Sequence, residues 1–206
     1  MKPKVPRMKL LLTQVELKLR NAGFAPADLA ITERLRCLET AWLSAAELLD
    51  QLPAVTAEGP EGLMAHVARV LGGGVRLIAY VGGNVAADEA KGLFEAAAGA
   101  LGNPSPLPSP PPLGRCVALP KGSRAVRTVP GRNPADENCA IDLYWQLGAE
   151  TAAASARASL LEHLMYEPLF NELRTKQQLG YTVGCSARNT QGALGYLVSV
   201  VSATHG

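Results

Sequence analysis

Six of the ten residues from Asn103 to Pro112 are proline: Pro104, Pro106, Pro108, Pro110, Pro111 and Pro112. Proline fixes φ and donates no backbone N–H, so a run this dense suits neither a helix interior nor a central strand. It favours extended polyproline geometry and acts as a semi-rigid spacer. We therefore expect a linker at 103–113 that divides the 206 residues into a segment 1–102 and a segment 114–206.

Before the spacer the pattern is mostly helical. Met8 to Asn21 places Leu11, Leu12, Val15 and Leu19 on one face. A second helix is expected to start after Pro26, with Asp28 near its N-terminal dipole, and to run to about Leu52 before Pro53 ends it. Glu58 to Leu71 predicts a third helix. After Gly72-Gly73-Gly74, the apolar run Val75 to Val81 predicts a buried strand, and Ala86 to Leu101 a fourth helix. Gly82-Gly83-Asn84 reads as a tight turn. No Lys-Ser/Thr pair follows it and no Gly-x-Gly-x-x-Gly spacing is present, which excludes a phosphate loop.

After the spacer the pattern turns to strands. Short strands are expected at Cys116 to Leu119 and Ala125 to Val129, with a polar loop at Arg132 to Glu137. Cys139 to Leu147 alternates as a half-buried antiparallel strand does. A helix from about Thr151 carries Leu160, Leu161, Leu164, Met165 and Leu169 at helical spacing, with Pro168 expected to bend or restart it. Tyr181 to Ala187 and Ala193 to Ala203 form a hairpin pattern joined through residues 188–192.

Composition narrows the classes. The net charge of +2 gives no electrostatic case for nucleic acid or an anionic membrane as partner. No apolar run approaches the roughly 20 residues that span a bilayer. The four cysteines, Cys37, Cys116, Cys139 and Cys185, lack metal or redox spacing, which fits reduced thiols. A cytoplasmic setting is expected, with mitochondrion and peroxisome left open.

The most specific stretch is Glu167, Pro168, Phe170, Leu173, Arg174, Thr175, Gln178, Leu179, Gly180 and Tyr181, crossing from helix to strand. It resembles the C-terminal half of the M16 (pitrilysin/insulysin) zinc metallopeptidases, nearest in pattern to their insulin-degrading-enzyme and nardilysin branch. Weaker similarity extends through Asn138 to Gln146 and through Tyr80 to Leu93. The resemblance implies an α+β fold of two incomplete αβ units, each an antiparallel sheet packed with helices. It assigns 1–102 to the end of the third domain and 114–206 to the start of the fourth. The sequence would then enter the family pattern partway and leave it early. It also implies roles: Arg174 and Tyr181 as catalytic and substrate-binding residues, and Phe170 lining a substrate side-chain pocket. The chemistry suits those residue types. A phenol O–H can donate to the oxygen on which charge builds during peptide hydrolysis, and a guanidinium can hold a carbonyl or carboxylate. From pattern alone, Arg174 equally suits a helix C-terminus and Phe170 a core.

The family's zinc motif is His-x-x-Glu-His on a helix. The nearest match is Ser159-Leu160-Leu161-Glu162-His163, with serine where a ligand is needed. His66 and His205 have no ligand-type neighbours at useful spacing. Three protein ligands are required for a hydrolytic zinc, so no metal site is expected in this chain. The resemblance then implies zinc in an N-terminal half that would be this chain's partner, peptide as substrate, and no cleavage by this chain alone. The rival expectation is a non-catalytic peptide-binding or scaffold subunit of the same family.

Overall fold

A computed structural model of the chain describes residues 5–109 and 114–203. Pro110, Pro111, Pro112 and His205 lie outside the described residues. Helices α1 (Val5–Asn21), α2 (Pro26–Leu38), α3 (Ala45–Gly72) and α4 (Ala87–Ala100) precede β1 (Cys139–Ala149), α5 (Ala152–Phe170), β2 (Thr182–Thr190) and β3 (Ala193–Ser202). Residues Met1–Gln14 with Gln51–Pro112 form one compact unit, and Val15–Asp50 with Leu113–Gly206 a second.

In the first unit, the expected strand Val75 to Val81 does not form. Val75 makes a single bridge to Pro106, while Ile78 and Tyr80 are exposed, Tyr80 at 95%. A strand needs partners that donate and accept along its length, and a proline-rich neighbour lacks the donors. Pro53, expected to end a helix, instead lies inside α3, which breaks at Gly59, where φ is 64°.

In the second unit, the helix expected to reach Leu52 stops at Leu38, and a new one starts at Ala45. Ser44 and Glu47 supply the restart signal. The Glu47 N–H donates to Ser44 Oγ at 3.2 Å and the Ser44 N–H to Glu47 Oε2 at 2.7 Å, a reciprocal capping box. Beyond α2 the chain is held to residues 115–117: the Val117 N–H donates to the Leu38 carbonyl and the Thr40 N–H to the Arg115 carbonyl. The expected strand Cys116 to Leu119 is thus one bridge, Glu39 to Cys116. Ala125 to Val129 forms no strand.

The three strands make an antiparallel sheet in the order β1-β3-β2. The β2–β3 turn is tighter than expected, two residues with Gln191 at φ 50° and Gly192 at φ 82°, the pairing a type I′ hairpin needs. Helix α5 covers β2 and β3, where Leu169 and Leu173 pack on Cys185, Tyr196 and Val198. Helix α2 covers the other face of β1. Arg34 Nε donates to Asp142 Oδ2 at 3.0 Å, Ser199 Oγ donates to Asp142 Oδ1 at 2.6 Å, and the Arg34 guanidinium lies 5.9 Å from the Tyr144 ring. The alternation in β1 holds, but the polar set is the covered one. Ile141, Leu143, Trp145 and Leu147 are exposed, although register pairs Leu143 with Val198 and Trp145 with Tyr196 on the helix side.

Candidate functional site

Helix α5 starts at Thr151, whose Oγ1 accepts from the Ala154 N–H at 3.1 Å. Pro168 lies inside it and does not stop it. Proline has no N–H for the carbonyl four residues back, and shortly afterwards the helix widens into a π-helical turn, Asn171–Lys176. Wide turns of this kind occur mostly as single turns, often at functional sites. The Gln177 N–H closes the turn on the Glu172 carbonyl and the Leu179 N–H returns to the Leu173 carbonyl, both at 3.0 Å. Between them Gln178 takes φ 53°, a conformation uncommon for a residue with a Cβ.

The chain then enters β2 through Gly180. A Cβ there would lie 2.8 Å from the Val201 carbonyl carbon, with the oxygen closer still. Only glycine lets the backbone pass this close to β3. Tyr181 follows with its side chain 58% exposed, one residue before β2.

Of the three expected site residues, two are in contact. The Arg174 guanidinium carbon sits 5.0 Å from the centroid of the Phe170 ring, within cation–π range. Arg174 is exposed and Phe170 half-buried. Phe170 in turn stacks on Tyr166, with centroids 6.3 Å apart and planes at 19°. Tyr166 was not among the expected site residues; its four-residue spacing from Phe170 was the available signal. Among the described residues, no hydrogen bond or ring contact links Tyr181 to Phe170 or Arg174. Glu172, the nearest carboxylate in sequence, is engaged elsewhere: Lys176 Nζ donates to Oε2 at 2.9 Å and Gln177 Nε2 to Oε1 at 3.0 Å. These two contacts, Gln177 first, hold its carboxyl below the ordinary value. No ion pair forms between Arg174 and a carboxylate among the described residues.

The zinc-motif remnant does not fit a metal. Ser159 offers a hydroxyl where an imidazole is required, and Glu162 Oε2 accepts from the Ala187 N–H at 2.8 Å. Glu162 thereby fastens α5 to β2. Among the described residues no three His, Cys, Asp or Glu side chains gather at ligand distance. Cys185 is buried, and the Cys116 thiol is pushed above its ordinary value by burial, so it is no ready nucleophile. No described helix is long and apolar enough to cross a membrane.

A family profile described as "Peptidase M16 inactive domain" matches residues 68–205. A nardilysin-like protein of Arabidopsis thaliana is 29% identical over 99% of this chain and 20% of its own length. Human nardilysin is 40% identical over 41% of this chain and 7% of its own, and human insulin-degrading enzyme 38% over 31% and 6%. The chain thus spans about a fifth or less of each relative. A crystal structure of pitrilysin superposes with a TM-score of 0.72 over 98% of this chain and 21% of that one, at 19% identity, which establishes a shared fold.

Proposed function

This chain belongs to the M16 peptidase family, and from that premise we propose that it is the non-zinc-binding C-terminal-half portion of an insulin-degrading-enzyme-like zinc metalloendopeptidase. Residues 1–102 are the end of the third domain, 103–113 the linker, and 114–206 the start of the fourth. Peptide is the substrate, and the zinc belongs to an N-terminal half that encloses a chamber with this one. The proposed setting is the cytoplasm, with mitochondrion and peroxisome left open.

In this reading the Arg174 guanidinium holds a peptide carbonyl or carboxylate. The Phe170 ring takes an apolar side chain. The Tyr181 hydroxyl donates to the carbonyl oxygen as negative charge builds there. The observation that carries the reading is Arg174 itself. It lies across an aromatic ring, open to solvent, while its neighbour Glu172 is occupied by Lys176 and Gln177. Among the described residues it binds no carboxylate, so its donors are open to a peptide group.

A second reading is a binding or scaffold subunit that does not cleave; Ser159 and the engagement of Glu162 with Ala187 fit both readings. Supplying an active N-terminal M16 half separates the two. Tyr181→Phe should then lower peptide turnover about tenfold or more; unchanged turnover removes Tyr181 from the mechanism, and no turnover with the wild-type chain favours the second reading. The chain alone should not cleave. Chelator-sensitive cleavage that survives His163→Ala would overturn that expectation.

A further inference from the structure

The row of side chains that ends in Arg174 is longer than the pair assigned above. Tyr166 and Phe170, four apart in α5, share one side of the helix, and Arg174, in the π-helical turn, continues the row over the Phe170 ring. The two rings are stacked, and the guanidinium covers the far ring. Tyr166 is 51% exposed. Among the described residues its hydroxyl makes no hydrogen bond. The residue before it in the file, Glu162, is turned to the Ala187 N–H, so the file begins at Tyr166. At its other end the Lys176 ammonium is drawn to Glu172, which leaves Arg174 as the terminal charge of the file.

We propose that Tyr166 is a specificity-determining residue: with Phe170 and Arg174 it forms a ledge that selects peptides carrying an aromatic side chain next to an acidic residue. The proposal rests on the reading that Arg174 and Phe170 face peptide. The open edges of two stacked rings accept a third aromatic ring in edge-to-face or offset geometry. The cation at the end of the ledge accepts the neighbouring carboxylate. If Tyr166 served only to support the Phe170 ring, its loss would weaken every peptide alike. A residue that touches the substrate side chain changes the ranking of peptides.

The test uses the 206-residue chain with ring-labelled tyrosine, observed by NMR during titration with two blocked tetrapeptides, acetyl-Ala-Phe-Glu-Ala-amide and acetyl-Ala-Ala-Glu-Ala-amide. The phenylalanine peptide should bind about fivefold more tightly, a ratio typical of one aromatic contact. The Tyr166 ring resonance should move with that peptide and not with the alanine one. Tyr166→Ala should erase the preference, and Tyr166→Phe should keep it. A preference that survives Tyr166→Ala overturns the proposal, as does an equal weakening of both peptides. If both peptides bind equally and Arg174→Ala weakens both, the peptide reading stands and this inference alone falls. If neither peptide binds, both fall.

Discussion

Gly180 passes so close to Val201 that a single added methyl would lie 2.8 Å from the Val201 carbonyl carbon. The obstacle is backbone in the β3 strand, which cannot swing aside as a side-chain tip can. Gly180→Ala should therefore cost about 1–3 kcal/mol of stability and displace Tyr181, measured by urea unfolding and by the amide shifts of residues 181–183. Gly99 in α4 is the control. Nothing lies within 4 Å of a Cβ there, and Gly99→Ala should stabilise its helix by about 0.5–1 kcal/mol.

The Arg34–Asp142 pair is covered on both sides, with side-chain exposures of 10% and 9%. Asp142→Ala leaves the guanidinium without its charge partner and the Ser199 hydroxyl without its acceptor. A loss of about 3–5 kcal/mol is expected. Arg34→Met combined with Asp142→Leu should lose much less, because no buried charge is stranded. A double-mutant cycle by chemical unfolding reads the difference.

Glu162 fastens α5 to β2. Glu162→Ala strips the Ala187 N–H of its acceptor and should cost about 1–3 kcal/mol. Glu162→Gln keeps an oxygen and should cost less. Amide hydrogen exchange at Ala187 should rise in the first variant and stay near wild type in the second. Zinc titration of either variant should match wild type.

The Glu172 carboxyl is held below its ordinary value of 4.5, first by the Gln177 amide and then by Lys176. A carboxylate whose pKa falls on folding adds stability that is fully present above the unfolded value. That contribution is lost as pH drops through the lower folded value. The Lys176 and Gln177 contacts to its carboxylate should accordingly loosen under acid, at a pH below 4.5. Carboxyl NMR should show Glu172 titrating there, and Gln177→Ala and Lys176→Ala should each raise its midpoint.

The elements that repeat a period over many residues were legible. Residues 139–149, helix α5 and the β2–β3 hairpin stand close to where alternation and helical spacing put them. So did the fold class, because the Tyr166 to Tyr181 stretch resembles one family strongly and the pitrilysin fold covers 98% of the chain. The losses have separate physical causes. Val75 to Val81 has strand composition, but composition does not supply a pairing partner. The restart at Ala45 was written in Ser44 and Glu47, a capping signal overridden by the apolar residues that run through it. In β1 the sequence marks two faces without saying which is covered; the Arg34–Asp142 pair decides it from more than a hundred residues away. Of the site, Arg174 and Phe170 were named, but their stacking depends on helix phase through a π-helical turn, which sequence period does not report.

The open row on β1 bears on how the protein behaves in a tube. Ile141, Leu143, Trp145 and Leu147 sit side by side on a strand that has only β3 beside it among the described residues. An apolar, exposed border strand is an adhesive. Purified by itself, this polypeptide should tolerate dilute solution far better than concentrated stock, and mild detergent should extend its shelf life more than added salt.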